Sequence, residues 1–221
     1  MNSQSSNNPL NTYVMYSGGA YGADQIFGVL AHKYGVGKQF HIRPQGNTKI
    51  HKDLVKLGYQ PKVADPNVLA TAYDKIKELL GLNLRHGIAG DLKARNYYQV
   101  SISESVLAVA HLNQDNTVKG GTSVAVDLAI VLNLPVYVLD VTTENWFMYD
   151  YNESKFIQFK DVPPLSRKFT AVGTRDIEDY NIKDRDSGLW VSRPQFVGHD
   201  KATRLVHKME QVFIKATENT R

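Results

Sequence analysis

The sequence predicts an α/β fold: an open, mainly parallel sheet with helices on both faces. Three observations carry this. Continuous apolar runs of strand length recur, as in SVLAVA at 105–110 and PVYVLDV at 135–141, and such unbroken runs mark strands buried on both faces. Between them lie segments whose apolar residues recur at helical spacing. The two kinds alternate from residue 12 to residue 141, the order that βαβ units produce.

Taken in order, residues 12–16 (TYVMY) favour a pleated sheet and read as a first strand. After SGGAYG, residues 23–34 carry Ile26, Val29 and Leu30 at helical spacing and stop at Gly35. KQFHIR at 38–43 is the next strand, broken by Pro44, Gly46 and Asn47. Residues 67–81 give the clearest amphipathic helix. Val68, Leu69, Ala72, Ile76, Leu79 and Leu80 share its face, Asp65-Pro66 precede it and Gly81 ends it. Residues 90–104 read as a helix entered from a Gly-Ile-Ala-Gly loop and feeding the 105–110 strand. A polar loop at 111–121, a small-residue helix at 122–132 and the 135–141 strand follow.

Beyond this point the pattern changes. WFMYDYNESKFIQF at 146–159 alternates aromatic and polar residues around Asn152-Glu153-Ser154, which predicts a β-hairpin added after the fifth unit. KFTAVGTRDI at 168–177 gives one more strand, then comes a charged, turn-rich loop at 179–200 and a closing helix at 201–216. The whole is a Rossmann-like arrangement in one domain, residues 12–221, behind a polar leader at 1–11 expected to be disordered.

With 221 residues, 42% hydrophobic and 22% charged, the chain has an ordinary globular composition and can bury a stable core. It has no cysteine, which excludes disulfides, thiolate metal sites and cysteine nucleophiles. No apolar run approaches 18 residues and no signal peptide is seen, so a cytoplasmic protein with no membrane contact is expected. The seven histidines show no paired ligand spacing; no metal and no cofactor are expected. The net charge of +4 is carried by scattered Lys and Arg. Such a distribution suits a phosphate-bearing small ligand better than a nucleic-acid surface.

In an open α/β sheet, ligands bind where strands turn into helices at their carboxyl ends. Three turns at that edge are glycine-rich and polar: YSGGAYGAD, AVAHLNQDNTVKGGTS and TAVGTRD. Each presents backbone N–H groups to an anion. Their candidate ligand-binding residues are Ser17, Gly18, Gly19, Gly22 and Asp24; Gly120, Gly121 and Thr122; and Gly173, Thr174 and Arg175. In this reading Gly18 and Gly19 let the backbone pass close to a phosphate. Asp24 either accepts from free donors at its helix start or contacts a sugar or base. Arg95 is a cation near a helix start, a placement that a bound anion favours. Asp127, in a helix otherwise of Val, Ala, Leu and Ile, is the candidate general acid or base. Trp146, Phe147 and Tyr149 are candidates for core packing or a lid over a base.

SGGAYGAD resembles the glycine signature of the SLOG superfamily, which includes the LONELY GUY phosphoribohydrolases and the DNA-processing protein A family. RNYYQVSISESVLAVA followed by GGTSVAVD is similar to the LONELY GUY pattern. That resemblance places the family's ligand-facing arginine on Arg95, its paired glycines on Gly120 and Gly121, and its catalytic carboxylate on Asp127. The loop at 111–119 is inserted, Ser123 replaces a motif glycine, and Asp replaces Glu. AVGTRDI matches a unit that usually opens such proteins, which implies a circular permutation returning this strand beside the first. The resemblance implies a nucleotide-type ligand and a homo-oligomer. Its enzymatic variant is an N-glycosidase acting on nucleoside monophosphates through Asp127, and a third reading is a single-stranded DNA-binding protein.

Overall fold

The strand β1 (Val14–Ser17) is followed by α1 (Ala23–Lys33) and β2 (Lys38–Arg43), which pairs parallel to β1 in the register Tyr16 to Phe40. The computed structural model describes residues 8–177, 182–183, 190–191 and 197–219. Next come a short helix α2 (Lys52–Lys56), a short strand β3 (Pro61–Val63) and the helices α3 (Pro66–Leu80) and α4 (Ile88–Ser101). Then β4 (Ser105–Ala110), α5 (Ser123–Val131) and β5 (Val136–Asp140) form the other half of the sheet. The antiparallel strands β6 (Trp146–Asp150) and β7 (Lys155–Gln158) follow, then β8 (Lys168–Gly173) and the closing helix α6 (His199–Glu218). A separate antiparallel pair, β9 (Ile182–Lys183) and β10 (Trp190–Val191), lies within the expected loop, the rest of which up to residue 196 is outside the described residues.

The helix α3 shows how locally this is written. The Asp65 side chain accepts the Asn67 N–H at 2.7 Å, Pro66 opens the first turn, and Gly81 closes the helix in the left-handed region. Leu69, Ala72 and Ile76 are the residues it buries. By contrast α2 and β3 span five and three residues, too few to impress a period on the sequence.

The sheet order is β3-β2-β1-β8-β4-β5-β6-β7. The first six are parallel, so the sheet is mixed only at the β6–β7 edge. The late strand β8 lies between β1 and β4, parallel to both. Along β4 every residue is buried. Leu107 and Val109 face the core formed with α1 and α6, and Val106, Ala108 and Ala110 the core formed with α3, α4 and α5. The result is three layers, with the chain leaving β1 and β4 toward opposite faces.

The hairpin extends the sheet rather than covering it. Trp146 and Met148 join one core and Phe147 and Tyr149 the other, the period-2 division of a strand with two covered faces. Packing also starts earlier than the leader expectation. Leu10 is wholly buried and its carbonyl accepts the Gly37 N–H at 3.0 Å. Among the described residues no helix is long and apolar enough to cross a membrane.

One core polar residue has a clear energetic signature. His41 on β2 is wholly buried, its ring meets Tyr59 edge-on at 5.3 Å, and neither ring nitrogen has a hydrogen-bond partner. Burial lowers its pKa to about 4. The unfolded chain therefore binds this proton more readily between about pH 6.5 and 4, and stability falls as pH drops through that window. We expect the loss to reach about 3 kcal/mol at pH 4. Urea unfolding at pH 7 and pH 4 checks it: His41→Gln removes this share of the acid sensitivity.

Candidate functional site

The carboxyl ends of β1, β8 and β4 meet where the chain direction reverses, and a cavity of about 430 Å³ opens there. Five segments build it. Ala20 and Asp24 come from the β1–α1 turn, and Arg43 from the end of β2. The first half of α4 supplies Ala89, Leu92, Lys93, Arg95 and Asn96. The turn into α5 supplies Lys119, Gly120, Gly121 and Thr122, and the exit of β8 supplies Val172 to Asp176. Five basic side chains thus face two acidic ones.

Asp24 organises the floor. It is 3% exposed, and its carboxylate accepts the Gly18 N–H at 3.1 Å and the Gly173 N–H at 3.0 Å. One side chain thereby pins the exits of β1 and β8 together. It does not cap its own helix: Gly22 is the residue before α1 and no side chain caps that end. Burial pushes the Asp24 carboxyl up, against the opposing pull of Arg95, the Gly173 and Ala20 N–H groups and Arg43.

Arg95 lies two turns into α4, buried rather than on the surface near a helix start. Its Nη2 is 3.9 Å from Asp24 and its Nη1 donates to Gln99 at 2.9 Å, while Nε has no partner. Burial lowers its pKa to about 10, with Asp24 acting upward and Arg43 and Arg175 downward. It stays cationic at neutral pH. Arg43 is 4% exposed and donates to the Gly18 carbonyl at 3.3 Å and to Asn47 at 2.7 and 3.0 Å. Burial lowers its pKa; Asp24 raises it and Arg175 lowers it further. Two buried guanidinium groups, Arg95 and Arg43, share the Asp24 carboxylate.

Gly18 and Gly22 serve close packing within the protein, whereas Gly120 and Gly121 border the cavity. A Cβ on Gly18 would overlap the Arg95 guanidinium, so this glycine makes room for the arginine, not for a phosphate. Gly22, at φ +83°, allows the β1–α1 turn to pass against the β8 exit, where a Cβ would meet Thr174 O at 2.5 Å. Ser17, Gly18, Gly19 and Gly22 lie behind the lining; Ser17 is wholly buried with its Oγ accepting the Gly19 N–H at 3.4 Å. Gly120, at φ +82°, and Gly121 have open space above them and border the cavity.

Of the residues singled out in the sequence, Asp24, Arg95, Gly120, Gly121, Thr122, Gly173, Thr174 and Arg175 line the cavity. Asp127 does not. It sits half-buried on α5, with no hydrogen bond or ion pair among the described residues, and burial raises its pKa. The hairpin aromatics do not line it either. Arg43, Lys93, Asn96 and Lys119 were missed. Arg43 had a readable signal: a cation closing a parallel strand just before Pro44 and Gly46. Among the described residues no group of His, Asp and Glu is arranged to hold a metal.

Asp24→Ala leaves two buried N–H groups and the arginines without their acceptor. We expect a loss of about 3–5 kcal/mol, the cost of breaking a buried pair from one side. Denaturant unfolding of wild type and variant measures it, and a change under 1 kcal/mol would contradict the bracing role.

Comparison with protein-family models, with curated proteins and with solved structures finds no match for this chain.

Proposed function

We propose that the chain binds a nucleotide or nucleotide-derived compound, its phosphate held among Arg43, Arg95 and Arg175. The observation that carries this is the charge imbalance at the cavity floor. Arg95 and Arg43 are buried, one Arg95 nitrogen has no partner, and among the described residues Asp24 is the one carboxylate that acts on both. Uncompensated buried charge is costly, and a dianionic phosphate supplies both the missing charge and acceptors for guanidinium N–H groups. Gly120 and Gly121, open to the same space, add backbone donors.

The rest of the ligand is read from the other wall. Ala89 and Leu92 give an apolar surface on α4 and Asn96 a polar one beside it. A base and sugar fit that mixture, and about 430 Å³ is in the range of small-molecule sites. The position of β8 beside β1 supports the same reading, since a permuted SLOG-type protein would bring its Gly-Thr-Arg turn to this edge.

Thermal unfolding with millimolar AMP, ADP-ribose, cyclic AMP or inorganic phosphate tests this. Ligand at 100 times its Kd adds about 2.7 kcal/mol of stability, a shift of several degrees. Arg95→Gln and Arg175→Gln should each weaken binding about tenfold or more, consistent with loss of one charge-assisted contact. Absence of any shift with all four compounds would overturn the reading.

A further inference from the structure

The loops leaving β4, β5 and β8 bring together His111, Thr142 and Asp176. His111 Nε2 is 3.1 Å from Asp176 Oδ2, and His111 Nδ1 is 3.2 Å from Thr142 Oγ1. A carboxylate only accepts, so the neutral imidazole carries its proton on Nε2 and offers the Nδ1 lone pair to the Thr142 hydroxyl. Hydroxyl, base and orienting carboxylate stand in one hydrogen-bonded line.

The frame around them is fixed by Asp140, 3% exposed at the end of β5. Its carboxylate accepts the N–H groups of Leu112 at 3.0 Å, Thr142 at 3.1 Å and Thr143 at 2.9 Å, and the Thr143 hydroxyl at 2.8 Å. The same group therefore holds the chain next to His111 and the chain at Thr142. Thr142 itself is exposed, so a substrate can reach its oxygen.

We propose that this triad hydrolyses phosphodiesters, with Thr142 as the nucleophile. The local donors favour phosphorus over a carboxylic ester. The amides of Leu112, Thr142 and Thr143 are all committed to Asp140, so these three are not free to hold an acyl oxyanion. One side-chain cation touches the triad instead, and a second adjoins it in sequence. Lys201 Nζ donates to the Thr142 carbonyl at 3.1 Å, and Arg175 precedes Asp176. Such groups stabilise the charged oxygens of a phosphoryl group in transfer.

In the first step His111 Nδ1 takes the Thr142 Oγ1 proton as that oxygen attacks phosphorus. The bond from phosphorus to the leaving oxygen breaks, and that oxygen takes the proton from Nδ1. Water then attacks the phosphorus of the phosphorylated Thr142, giving a proton to His111 Nδ1; the phosphorus–Oγ1 bond breaks, and Oγ1 takes that proton back. One water is consumed, and the diester becomes a monoester and an alcohol. Asp176 is a positioning residue acting through His111.

The proposal does not rest on the anion-binding reading, and the probe, bis(p-nitrophenyl) phosphate, is tested on the full chain without any cavity ligand. Wild type should release p-nitrophenolate and accumulate an adduct that intact-mass and peptide analysis place on Thr142. Thr142→Val and His111→Gln should each lower the rate at least about 100-fold with unchanged thermal midpoints, and Thr142→Ser should retain part of it. Asp176→Asn should lower kcat, not KM, with Asp176→Glu restoring part. No release above the Thr142→Val background overturns the proposal, as does release that survives Thr142→Val. Thermal shifts with nucleotides are read separately, so either idea can fail alone.

Discussion

The site depends on one carboxylate in a place where carboxylates are expensive. Asp24 is 3% exposed, accepts N–H groups from the ends of two different strands, and is the acidic partner of a buried arginine at 3.9 Å. Desolvating a guanidinium costs several kcal/mol even after relaxation. Arg95 and Arg43 together need more compensation than Asp24 alone provides. Among the described residues the buried cluster thus sets one carboxylate against two guanidinium groups.

That cluster is assembled by topology. Asp24 follows β1, Arg43 ends β2, Arg95 lies on the helix before β4, and Arg175 follows β8. Because β8 lies between β1 and β4, every one of these parts is brought to one edge by a strand that enters late in the chain. Gly22 and Gly18 are the steric conditions for it. One lets the β1–α1 turn lie against Thr174, and the other leaves space for the Arg95 guanidinium. Their spacing resembles a phosphate loop because both kinds of turn demand close backbone approach, and sequence alone does not say to what.

How much of this the sequence revealed follows from how local each signal is. β4 and β5 were legible because two covered faces leave an unbroken apolar run, and α3 because its cap, apolar face and terminal glycine all agree. α2 and β3 were not, being shorter than one period of any pattern. The three glycine-rich turns were legible as turns at one edge of the sheet, but what Gly18 and Gly22 pack against, and the burial of Arg95, were not. Arg43 was not recognised, since its neighbours Asn47 and Gly18 lie on other segments. Asp127 shows the converse: an isolated carboxylate among apolar residues attracts attention, and in the fold it does not border the cavity. The line of Thr142, His111 and Asp176 was beyond local reading altogether, because its members are separated by 31 and 65 residues.

Asp176 is the residue that the two regions of this edge share. It lines the cavity and it also accepts from His111 at 3.1 Å. Its backbone N–H donates to Thr174 Oγ1 at 3.2 Å, and Thr174 is itself part of the cavity wall. One short turn after β8 therefore supplies both a wall of the cavity and the carboxylate that orients His111, so the placement of each region depends on the same few residues of backbone.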